Sequence, residues 1–153
     1  MMGARIGRHP IHPMLVGIPI GLCTFSFFAD LIRLLGSGKP VWFDLAFYAI
    51  AGGLVGALVA AIPGLVDYLS TTNERVRDIA FAHMITALAV VALFGLSLWV
   101  RWQGDHGLLP LAISAVGLVL LGVVGWLGGE MVFVHGMGMD ASAGRSARDP
   151  RVA

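Results

Sequence analysis

Four of the five histidines, His9, His12, His83 and His135, lie near the ends of long apolar runs, as do the carboxylates Asp67 and Glu130. Neutral imidazole and carboxylate are donors that hold Fe, Zn, Mn or Cu. Brought to one level, these six residues would form a metal site. Two imidazoles facing each other would instead hold one haem b, with His83 as one ligand and His12 or His135 as the other. The cofactor such a set would take is haem b or a transition metal (Fe, Zn or Cu). No CxxCH is present, which excludes covalent haem attachment. HExxH, a glycine-rich phosphate loop and paired CxxC are also absent. Ser70, Thr71 and Thr72 lie near Asp67 in sequence, but nothing completes a hydrolytic triad. His106 stands apart, beside Asp105.

The elements that would carry these residues are membrane spans. Of 153 residues, 58% are hydrophobic and only 12% charged. Soluble domains carry roughly 25% charge, so this chain cannot cover its surface with polar groups. Four apolar runs, 14–35, 41–66, 79–100 and 108–134, each exceed the roughly 20 residues that cross a bilayer core. Lipid offers the backbone no partner, so each must be helical. The expected fold is an all-α transmembrane four-helix bundle over 1–138, followed by a polar tail, 139–153. The basic start, MMGARIGRHPIHP, precedes a run too long for a signal h-region, so the first helix is expected to be retained.

Four spans place both termini on one side of the membrane. That side holds Arg5, Arg8, Arg75, Arg77, Arg145, Arg148 and Arg151, against Arg33, Lys39 and Arg101 on the other. The positive-inside rule then puts both termini in the cytoplasm. His9, His12, Asp67, His83, Glu130 and His135 all fall at the same end. The net charge of +1 leaves no basic excess for nucleic acid.

His9, His12 and His83 also have a structural explanation, whereas Glu130 is harder to dismiss. His12–Pro13 suits a helix start. His83 could bond a neighbouring helix or Asp67. A carboxylate near hydrocarbon needs a partner, so the expected pairs are His83–Glu130, Arg77–Asp67 and Asp30–Arg33. Cys23 is alone and reads as a small buried hydrophobe. Trp42, Trp99 and Trp102 fit an interfacial belt, whereas Trp126 sits deeper and reads as a packing residue. Gly17/Gly21, Gly52/Gly56 and Gly125/Gly129 have the spacing that lets helices approach closely, within the bundle or in a homodimer. Pro19 and Pro63 should open their helices locally. One further pattern is geometric: His12 and Asp67 bracket the first helix pair as His83 and Glu130 bracket the second. A parallel duplication of a hairpin would look like this.

Three segments, HPIHPMLVGIPIGL, AAIPGLVDY and GWLGGEMVFVHG, together with Arg77, Ala80 and His83, resemble the bacterial membrane family called domain of unknown function 2231. The resemblance covers about residues 7–138. It implies a small four-helix inner-membrane protein, and its association with redox partners implies electron transfer or metal handling. The matching positions are His9, His12, Asp67, Tyr68, Arg77, His83, Glu130 and His135. The leading expectation is therefore a His/carboxylate metal or haem site serving redox chemistry, with a redox protein as partner. The alternatives are a structural or partner-binding membrane subunit, and a small transporter with a polar path to Asp30.

Overall fold

A computed structural model describes residues 3–7 and 9–137. A two-residue strand pair opens the chain, β1 (Arg5–Ile6) antiparallel to β2 (His9–Pro10), turned by Gly7 at φ 61°. Among the described residues, five α-helices follow: α1 (Ile11–Leu15), α2 (Gly17–Ile32), α3 (Pro40–Ser70), α4 (Glu74–Trp102) and α5 (Leu108–Gly129). One turn of π-helix extends α2 (Arg33–Ser37) and another extends α5 (Glu130–Val134). Four continuous helical stretches result, Ile11–Gly36, Pro40–Ser70, Glu74–Trp102 and Leu108–Val134. Each is long and apolar enough to cross a membrane, and together they form an all-α bundle. The expected tail, 139–153, lies outside the described residues.

Local chemistry explains the boundaries. Pro19 has no N–H for the carbonyl of Leu15, and the first helix breaks there, between α1 and α2. Gly38, at φ 56°, ends the first span in the left-handed conformation, and Pro40 occupies the first turn of α3. Asn73 caps α4 by accepting from the Val76 N–H at 3.3 Å, with Glu74 in the first turn.

The first span packs along α3, and α4 packs along α5, so the bundle is a pair of hairpins. Small residues at the seams permit this. A Cβ on Gly52 would approach Leu22 to 3.3 Å, and one on Gly56 would approach Ile18 to 3.2 Å. Cys23, Ile50, Val90 and Phe94 fill the middle of the bundle, and Val76, Ala80 and Met131 form a smaller cluster nearer one end. Cys23 is buried and free, as its surroundings require. Trp126 departs from expectation: it is 76% exposed and faces outward from the bundle.

Candidate functional site

The two spans that begin at Ile11 and Glu74 carry His12 and His83 to one end of the bundle. Their rings meet edge to face, with centroids 6.2 Å apart. Each ring is fixed by its own hairpin partner. His12 Nδ1 lies 2.7 Å from the carbonyl of Ala60, and His83 Nδ1 lies 3.0 Å from that of Val124. A carbonyl only accepts, so Nδ1 carries the proton in both rings. A glycine stands four residues beyond each carbonyl. A Cβ on Gly64 would sit 2.9 Å from the His12 ring, and one on Gly128 would sit 3.5 Å from the His83 ring. Gly64 therefore makes the room in which His12 sits.

The other expected ligands serve separate purposes. Asp67 accepts the Ala4 N–H at 2.7 Å and anchors the N-terminal segment. Arg77 does not pair with Asp67; its guanidinium lies over the Tyr68 ring, 5.6 Å from the centroid. His9 belongs to β2 and is exposed. His135 follows the π-turn of the last span, and its Nε2 is buried with no partner among the described residues. Glu130 does not meet His83. It lines a groove of about 320 Å³ with Gly125, Trp126, Gly129, Phe133 and Val134.

The predicted metal set is thus corrected. His9, His12, His83, His135, Glu130 and Asp67 reach the same end of the bundle but do not converge. Among the described residues, no three His, Cys, Asp or Glu side chains are placed to hold one ion. The physical reason is placement: of the six, only His12 and His83 meet, while His9 is exposed on β2 and Glu130 lines a separate groove. The carbonyls of Ala60 and Val124 fix the two imidazoles through Nδ1, and Asp67 is turned to the Ala4 N–H. Assignment of this protein as a redox component built on a His/carboxylate metal cluster loses its structural basis.

The polar centre that does form lies at the opposite end and involves a residue not expected in it. Asp30 and Arg101, 1% and 2% exposed, make a bidentate ion pair, Nη1–Oδ1 at 2.9 Å and Nη2–Oδ2 at 2.5 Å. The parallel N–H groups of a guanidinium match a carboxylate in this way. Arg33, the expected partner of Asp30, instead donates to the carbonyl of His106, whose ring stacks on Phe43 at 3.7 Å.

Two serines complete the pair. Ser97 donates to the carbonyl of Pro110 at 2.9 Å, so the 2.8 Å contact between Ser97 and Ser114 has Ser114 as donor. Ser97 also accepts from Arg101 Nε at 3.3 Å, and Ser114 from Nη2 at 3.5 Å. All of these groups are buried. The network joins α2, α4 and α5. Its sequence signal was two opposite charges at the same ends of the first and third spans.

Comparison with curated proteins and with solved structures returns no match. The family model described as predicted membrane protein (DUF2231) matches residues 8–141. That match takes in all four spans, both His–glycine contacts and the Asp30–Arg101 network, and the chain belongs to this family of multi-pass membrane proteins.

Proposed function

We propose that the chain is a structural, partner-binding subunit of the bacterial inner membrane, with both termini in the cytoplasm. The observation that supports it most is the division of labour among its side chains. His12, His83, Asp30, Arg101, Ser97 and Ser114 all tie one helix to another. The outward faces, by contrast, keep small residues with open space above them. Nothing lies within 4 Å of a Cβ built on Gly17, Gly21 or Gly125, and only Phe133 approaches one on Gly129. Of the three small-residue motifs, Gly52/Gly56 alone is used inside the bundle. Where lipid gives no hydrophobic drive for association, close backbone approach at such faces is what joins helices. The groove beside Gly125 and Gly129, walled by Trp126 and Phe133, suits a helix of a second membrane protein or of a second copy.

The cytoplasmic placement of the termini rests on the arginine count. Arg101 adds nothing to the opposite side, because it is buried against Asp30. The positive-inside rule counts loop charges, so the asymmetry grows. A transporter gains no support: Asp30, the residue its pathway would need, is locked in a bidentate pair.

Cross-linking in native membranes with G17L/G21L and G125L/G129L tests the proposal. One of the two double substitutions should abolish a cross-linked species formed by the unaltered protein, with the thermal midpoint of the purified monomer unchanged. An identical cross-linking pattern in both variants would sink it.

A further inference from the structure

The two hairpins place like contacts in the same register. Between the first and third spans, equivalent positions lie 71 residues apart: His12 and His83, Cys23 and Phe94, Ser26 and Ser97, Asp30 and Arg101. The histidines each bond a carbonyl of their hairpin partner. Cys23 and Phe94 share the central core, and both serines are fully buried. Between α3 and α5 the offset is 64 residues. Ala60 and Val124 supply the two carbonyls, and Gly64 and Gly128 supply the two glycines beside the rings. Gly53 and Gly117 match as well: a Cβ on the first would strike Cys23 Sγ at 2.8 Å, and one on the second would approach Phe94 at 3.0 Å. Ala46 matches Pro110 and Ile50 matches Ser114, all fully buried.

Two of these equivalences touch each other. His12 meets His83, and Asp30 meets Arg101. A residue contacts its own equivalent only where a two-fold axis passes between them. The two contacts are 18 residues apart along each helix, about 27 Å at 1.5 Å per residue. They therefore mark one axis running the length of the bundle, in the sense of parallel repeats related about the membrane normal.

We infer that the chain is a tandem duplication of a helical hairpin, and that the Asp30–Arg101 pair on its axis selects which hairpin joins which. Two copies of the first hairpin would set Asp against Asp at this point, and two copies of the second would set Arg against Arg. Like charges in contact at a fully buried site exclude both pairings. Only the first hairpin with the second is neutral. Ser26 carries the imprint of the duplication. Its hydroxyl is buried without a partner among the described residues, at the position equivalent to Ser97, which supports Arg101. The guanidinium shell is built on one side of the axis and half present on the other.

The test uses the full chain with D30R, R101D, the exchange D30R/R101D, and the fuller exchange D30R/I50S/R101D/S114I, which moves the whole network to the other hairpin. Folded monomer recovered in detergent and its thermal midpoint are measured. Each single substitution should lose most of the folded monomer, and D30R/R101D should recover most of that loss, with Ser26 now serving position 30. If the double exchange is itself poorly folded, the fourfold exchange should still exceed both singles. Should neither exchange exceed the singles, the equivalence of the positions is wrong. Should either single substitution leave monomer and midpoint unchanged, the pair selects nothing.

Discussion

Arg101 is the residue on which most depends at the far end of the bundle. R101Q would leave the Asp30 carboxylate buried and unpaired, a loss of about 3–5 kcal/mol. S97A removes one member of the same network and should cost about 0.6–1.7 kcal/mol, the range of hydrogen bonds between membrane helices. Equilibrium unfolding in mixed micelles would rank them, and an S97A loss equal to that of R101Q would contradict the ion pair as the main contributor. The two glycines beside the histidines should differ. G64A drives a methyl into the His12 ring at 2.9 Å, against a ring held in place by the Ala60 carbonyl, and should cost about 1–3 kcal/mol. G128A meets His83 at an ordinary 3.5 Å and should stay close to the unaltered protein in the same assay. The individual types of these residues were visible in the sequence. Which of them touch was not, because Asp30 and Arg101 are 71 positions apart and Arg33 lay nearer in the chain.

At the level of elements, the helices follow from composition and punctuation. Pro40, Gly38 and Asn73 stand where their backbone preferences require, and the four spans begin and end within a few residues of the apolar runs. Pro19 acts as a break, and P19A should restore the bond to the Leu15 carbonyl and join α1 to α2. Slower amide hydrogen exchange at the neighbouring residues 16–18 and 20, with a protected new amide at residue 19, would show this; unchanged exchange at those neighbours would mean that another contact holds the break. The small-residue motifs all looked alike in sequence. Only packing separates Gly52/Gly56, pressed against Leu22 and Ile18, from Gly17/Gly21 and Gly125/Gly129, which face outward. The direction a helix face points depends on its neighbours, and no local signal carries it.

For the whole molecule, the proposed orientation predicts that a cytoplasm-active fluorescent fusion at the C-terminus is bright and an alkaline phosphatase fusion there is inactive. A phosphatase inserted in the loop at Gly104 should be active; the reverse pattern would invert the bundle. Span number, helix type and the crowding of histidines and carboxylates at one end were all determined by sequence alone. Apolar length and the backbone's need for internal hydrogen bonds leave a bilayer protein little other choice. Tertiary structure decided what that crowding means. Proximity along the membrane normal is not convergence, since each side chain takes the hydrogen-bond partner its own packing offers, and the six are spread around the end of the bundle. The carbonyls of Ala60 and Val124 lie within reach of the imidazoles, and the Ala4 N–H within reach of Asp67. The charged centre formed instead at the other end, where the helix register set Asp30 against Arg101 across an axis between two like hairpins.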